Sequence, residues 1–129
     1  MMVKLHRERP IPAEQVRALY DHVGWWPERT LPQIERVLDG APAAGAWDGD
    51  TLVGFMRIVS DGVFRAYVED VVVHEAYRHQ GIATALMNAL LEEVRDVHLV
   101  SLFCKERLVP VYRSQGFEET RQVVMHRKP

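Results

Sequence analysis

Residues 71–91 read VVVHEAYRHQGIATALMNALL, and this stretch decides the fold. Val71-Val72-Val73 is apolar and β-branched, as the end of a buried strand should be. Ile82, Leu86, Ala89, Leu90 and Val94 then fall at three-to-four spacing and predict an amphipathic helix over Gly81–Val94. That helix begins with chemistry that works against its stability. A helix N-terminus leaves four N–H groups unpaired, and Ser, Thr, Asp or Asn normally caps them. None of these stands just before Gly81; Arg78, His79 and Gln80 stand there instead. A cation at the positive end of the helix dipole is disfavoured by roughly a few tenths of a kcal/mol, and Gly81 in the first turn lowers helix propensity further. An external anion would reconcile these choices. Free N–H groups from His79 through Ile82 and Ala83 to Thr84 would hold phosphate oxygens, and Gly81 would let the backbone approach them. Arg78 would add charge-assisted bonds, and the Thr84 hydroxyl would reach the same anion. The alternative is a surface turn with a solvated arginine. Neither G-x-x-x-x-G-K-[ST] nor G-x-G-x-x-G after the first strand is present, which excludes a P-loop and a dinucleotide-binding fold.

Outward from this stretch, short strands and helices follow one another without repeats or long linkers. Met2–His6 reads as a strand. Ala13–Val23 reads as a helix entered through Pro12 and stopped by Gly24. Leu31–Leu38 is a second, short helix. Ala43–Trp47 and Leu52–Val59 form a hairpin around Asp48-Gly49-Asp50, and Phe64–Val73 is the next strand. Val97–Cys104 follows the main helix, so strand, helix and strand make a parallel crossover. Pro110–Gln115 is a short helix ended by Gly116, and Phe117 onward with Gln122–Arg127 supplies the last strands. The expected class is α/β: a mixed, mostly antiparallel sheet with a central parallel pair, helices on both faces, and one domain over residues 1–129.

Composition narrows the function. The 129 residues are 47% hydrophobic and 26% charged, which suits a soluble globular chain. Sixteen basic against eighteen acidic residues leave no basic excess, so nucleic acid is not an expected partner. No apolar run approaches the roughly 18 residues of a membrane helix. The single Cys104 excludes an internal disulfide and a Cys-rich zinc site, and His22, His74 and His79 lack ligand spacing, so no metal is expected. MMVKLHRERP lacks the apolar stretch of a signal peptide, and a reducing cytoplasm is the expected compartment.

Two acids interrupt an apolar strand: Ala66-Tyr67-Val68-Glu69-Asp70-Val71-Val72-Val73. Strand alternation places Glu69 and Asp70 on different faces. If helices cover both faces, at least one carboxylate is partly buried, which raises its pKa and suits it to accept protons. Otherwise one acid pairs with an Arg or His and the other is solvated. Tyr112, on the short helix after the second parallel strand, falls at the same end of the sheet as the anion site. It either donates a proton to a leaving group or simply packs.

Together these residues resemble the GCN5-related N-acetyltransferase (GNAT) superfamily. Arg78-His79-Gln80-Gly81-Ile82-Ala83 fits that family's [RQ]-x-x-G-x-[GA] signature. The preceding strand Glu69–Val73, the following helix, and Tyr112 ahead of Gly116-Phe117 fall in the family's order over essentially the whole chain. The resemblance implies the GNAT fold and acetyl-CoA as cofactor. It places the CoA pyrophosphate on the backbone from His79 to Thr84, and the pantetheine along Val71, Val72 and Val73. A neutral primary amine would attack the thioester directly, with Glu69 or Asp70 accepting its proton and Tyr112 protonating the departing thiolate. The Glu-Asp pair is similar to the glucosamine-6-phosphate acetyltransferase branch, and Glu69 is favoured slightly over Asp70. Many relatives carry an Asn ahead of the Tyr helix; here Lys105-Glu106-Arg107-Leu108 stands there, so Lys105 or Arg107 substitutes or the contact is absent. Leu19-Tyr20, Val23-Gly24-Trp25 and Ser60-Asp61-Gly62-Val63-Phe64 look like the plant and cyanobacterial serotonin acetyltransferase type. The expected acceptor is therefore a small-molecule amine, with the loop of Trp25, Trp26, Glu28 and Arg29 lining its pocket. Acetylation of a protein or peptide amine and a non-catalytic CoA-binding sensor are the competing readings. The resemblance also allows a homodimer.

Overall fold

The computed structural model describes residues 1–129. Strand β1 (Met2–Leu5) precedes helices α1 (Ala13–Val23) and α2 (Leu31–Gly40). Strands β2 (Ala43–Asp48), β3 (Thr51–Ser60) and β4 (Arg65–Val73) follow, then helix α3 (Ile82–Glu93), strand β5 (Leu99–Leu102) and the short helix α4 (Val109–Arg113). The sheet order is β1-β2-β3-β4-β5, antiparallel throughout except for the parallel β4–β5 pair. The mixed sheet expected from the sequence is present. The strands expected beyond Phe117 are not: the chain from Glu118 to Pro129 is exposed and forms no ladder, so β5 is the edge of the sheet.

Each face of the sheet carries its own core. On one face α1 and α2 lay Val16, Leu19, Tyr20, Ile34 and Leu38 over Phe55 and Val72. On the other, α3 lays Ile82, Leu86, Met87 and Leu90 over Val53, Met56, Ile58, Ala66 and Val68. Met87, not Ala89, completes the buried stripe of α3. A bare position in β3 sets the seat of this helix. A Cβ on Gly54 would lie 3.0 Å from Ile82 Cγ2, so only glycine lets the first turn of α3 settle against the strand. Helix α2 is entered through a capping box, with Thr30 Oγ1 accepting from Gln33 N–H and Gln33 Oε1 accepting from Thr30 N–H.

Strand β4 is not regular. Arg57 opposes Glu69 and Phe55 opposes Val72, so one residue of β3 faces two of β4, a bulge at Asp70 and Val71. Asp70 takes a left-handed φ of +54° there. Val68 consequently packs in the α3 core while Val72, four residues on, packs in the α1 core. In a straight strand the two would share a face. The expectation that Glu69 and Asp70 point to opposite faces is therefore overturned. Glu69, next to the inward Val68, falls on the α1 side, and the bulge keeps Asp70 on that side with it.

Candidate active site

The parallel pairing of β4 with β5 runs only from Arg65 to Val68 on β4. From Glu69 to Val73 that edge of β4 has no strand beside it. His74 N–H donates to Val53 O at 2.8 Å, so alternation turns the main chain of Val71 and Val73 away from β3, toward the open edge. Val72 opposes Phe55 on β3 and its side chain is buried, so it lies in the core behind the edge. Arg78 Nε donates to Val73 O at 3.1 Å, which ties the loop after the strand to the strand's last carbonyl.

The loop ends at α3. His79 and Gly81 are both left-handed, at φ +65° and +79°, and Gly81 is the N-cap with no side-chain capping bond. Gly81 thus stands before the helix, and its conformational freedom is an asset rather than the propensity cost expected of a first-turn residue. The first helical bond is Ala85 N–H to Gly81 O at 3.0 Å, which leaves the N–H groups of Ile82, Ala83 and Thr84 at the open end. Arg78, Gln80, Gly81 and Thr84 are exposed, while the Ile82 side chain is buried beneath them. Thr84 Oγ1 accepts from Gln115 Nε2 at 3.3 Å, which brings α4 alongside the start of α3. Tyr112 on α4 is half-buried, its ring edge-on to Phe117 at 6.2 Å between centroids. Burial, with Cys104 nearby, pushes the Tyr112 hydroxyl above its ordinary value and keeps its proton in place. Lys105 and Arg107 are exposed in the turn before α4.

Asp70 is the most constrained acid in the chain. Its Oδ2 accepts from Arg57 Nε at 2.6 Å, Tyr20 Oη at 2.8 Å and Arg29 Nη1 at 2.9 Å, with the side chain only 3% exposed. Burial alone would raise its pKa. The hydrogen bond and charge of Arg57, with Tyr20 and Arg29 behind them, outweigh that and hold the carboxyl below the usual range. The raised pKa expected of a buried acid is thus reversed, because two guanidinium groups share one carboxylate. Burial and the Asp70 charge push the Tyr20 hydroxyl far up, so it stays a donor. Glu69 is half-buried opposite Arg57 and takes part in no ion pair or hydrogen bond. Sequence reasoning missed Tyr20 and Arg57 as site residues. A lone arginine inside the apolar run Leu52–Ile58 was the available signal.

In the loop after α1, Trp25 packs against the α1 core, while Trp26 is exposed with the Arg29 guanidinium stacked 4.4 Å over its ring. A cavity of about 320 Å³ opens above Asp70, lined by Tyr20, Arg29, Gln33, Ile34, Val37 and Arg57. A second cavity of about 350 Å³, lined by Leu5, Leu38, Ala43 and Glu93 among others, lies past Ala43, the cross-strand neighbour of Arg57, and holds none of the side chains that bind Asp70.

The acetyltransferase (GNAT) family model matches residues 2–117. The chain belongs to this GNAT family. A GNAT-family acetyltransferase of Streptococcus pneumoniae superposes with a TM-score of 0.80 at 32% identity, covering 98% of each chain. The histone acetyltransferase TAP1 of Glycine max is 31% identical over 80% of this chain and 50% of its own length. Serotonin N-acetyltransferase 2, chloroplastic, of Oryza sativa is 31% identical over 77% of this chain and 52% of its own. The GNAT chain thus spans about half the length of these two curated relatives. Acetyl-CoA, the cofactor this family implies, is a long thioester carrying a pyrophosphate. Two observations fit it: N–H groups left free at the start of α3, and an open strand edge leading up to them.

Proposed function

We propose that this chain, as a single catalytic domain, transfers an acetyl group from acetyl-CoA to the primary amine of a small molecule. The observation that carries the reading is the uncapped start of α3 at the end of the unpaired β4 edge. Backbone N–H groups from His79 to Thr84 bind the pyrophosphate, with the outer guanidinium nitrogens of Arg78 beside them. Val71 and Val73 pair with the extended pantetheine as an added strand would. A main-chain N–H on this edge polarises the thioester carbonyl. Glu69, free of partners, accepts the proton of the amine as it attacks directly. Asp70 is committed to its arginines and positions the wall of the site. Tyr112 protonates the departing thiolate. A sensor without catalysis is disfavoured, since Glu69 carries no ion pair on the strand whose edge is open and Tyr112, kept protonated by burial, packs against the core beneath α3. The single exposed Cys104 accords with a cytoplasmic setting.

The test is a calorimetric titration with acetyl-CoA, followed by thiol release in the presence of primary amines. A Cβ at Gly81 meets no atom within 4 Å, so Gly81→Val leaves the packing alone but opposes the left-handed φ of +79°. Strain of about 1–2 kcal/mol at this position should cut acetyl-CoA affinity about tenfold or more while the circular dichroism is retained. Equal affinity in the two proteins would refute the helix-terminus site.

A further inference from the structure

The geometry points to an acceptor that carries an anionic group, a carboxylate or a phosphate, a few atoms from its amine and seated between Arg29 and Arg57. This inference rests on the acetyl-transfer reading and specifies its substrate. The cavity above Asp70 is rich in donors. Arg57 engages Asp70 through Nε alone, and both of its outer nitrogens are left over. Arg29 reaches Asp70 and the Tyr20 oxygen through Nη1, so its Nε and Nη2 are also left over. The Tyr20 proton is given to Asp70. The Gln33 carbonyl oxygen is taken by Thr30 N–H, which leaves that side chain its NH2 group. Three of the six lining residues, Arg29, Gln33 and Arg57, thus offer spare donors to the cavity, and Ile34 and Val37 form its apolar wall.

Charge points the same way. Two guanidinium groups face one buried carboxylate, so the wall keeps a net positive charge. The other acid in reach is Glu69, directly across the ladder from Arg57. Cross-strand neighbours stand roughly 5 Å apart at Cβ. A molecule with an amine at Glu69 and an anion at the arginines would therefore satisfy both ends over a spacer of a few carbons lying on Ile34 and Val37. A volume of about 320 Å³ suits such a molecule. Planar guanidinium forks bind carboxylates and phosphates alike, so the anion's identity is left to the measurement.

The experiment compares matched acceptors at saturating acetyl-CoA: β-alanine against β-alaninamide, and phosphoethanolamine against ethanolamine. The anionic member of at least one pair should show kcat/KM about tenfold or more above its neutral partner, as charge-assisted bonds require. The pair with the larger ratio identifies carboxylate or phosphate. Arg29→Gln, on a loop and with Arg57 still on Asp70, should bring the ratio near one through KM, and Arg29→Lys should restore part of it. Equal kcat/KM within both pairs would overturn the inference and leave acetyl transfer standing. If none of the four amines is acetylated, the transfer reading is decided by acetyl-CoA binding and thiol release, and amide chemical shifts around the cavity decide the anion site. Shifts on adding β-alanine or phosphoethanolamine, absent with the neutral partners and in Arg29→Gln, uphold the anion site; shifts indifferent to charge overturn it.

Discussion

Replacing Asp70 by Asn isolates the charge at the centre of the pocket wall. The carboxylate is 3% exposed and Arg57 13%, so neither is well solvated, while Arg29 is 28% exposed and partly screened. Removing one partner of a buried ion pair costs about 3–5 kcal/mol. The amide oxygen can still accept from Tyr20 and Arg57, which returns roughly 1 kcal/mol per bond. The expected loss at pH 7 is therefore about 1–3 kcal/mol, a sizeable share of the ~5–15 kcal/mol that holds a domain folded. The pH dependence supplies the check. The folded carboxyl titrates below its unfolded value of 3.8, so the stabilisation is complete well above pH 3.8 and is lost as the pH falls through the lowered folded value. Urea unfolding of both proteins at pH 7 and near pH 3 measures the difference at each end. The gap should narrow measurably, by up to about 1 kcal/mol, at the acid end, since each pH unit below the unfolded value of 3.8 is worth about 1.4 kcal/mol. A gap of the same size at both pH values, or one below about 0.5 kcal/mol at pH 7, would refute the ion-pair account.

Two further predictions concern the reacting groups. Glu69→Gln should lower kcat/KM about 100-fold or more, with stability little changed because its carboxylate holds no partner; unaltered turnover would remove it as the base. Tyr112→Phe should lower kcat about 100-fold with acetyl-CoA affinity within about twofold, read by paired turnover and calorimetry; full activity would reduce the tyrosine to packing.

Much of the fold could be read from the sequence because its strongest signals are local. The spacing from Ile82 to Val94, the hairpin at Asp48-Gly49-Asp50 and the missing cap before α3 all depend on neighbours in the chain. The errors fall where pairing between distant segments decides. Alternation in Ala66–Val73 looks regular, and no residue in it announces that β3 opposes it one residue short. Asp70 at positive φ is a weak hint, visible only once φ is known. The apolar run Val123-Val124-Met125 has strand propensity, yet β5 has only four residues and takes no further strand at its outer edge. The site divides the same way. The start of α3 was legible because it breaks a rule of helix chemistry, whereas the Tyr20–Arg29–Arg57–Asp70 cluster joins α1, a loop and two strands.

The ladder counts one residue too many in β4. Without Asp70, Glu69 would still oppose Arg57, Val71 would meet Met56, and Val72 and Val73 would keep their present partners. Both cores would then read the strand unchanged, so in the language of descent Asp70 is a codon the packing can do without. Arg57 bears the loss, since a guanidinium 13% exposed would be left without the carboxylate it is hydrogen-bonded to. A relative that lacks the extra residue in β4 is therefore expected to lack the arginine in β3 as well, a gap in one strand matched by a substitution in the next.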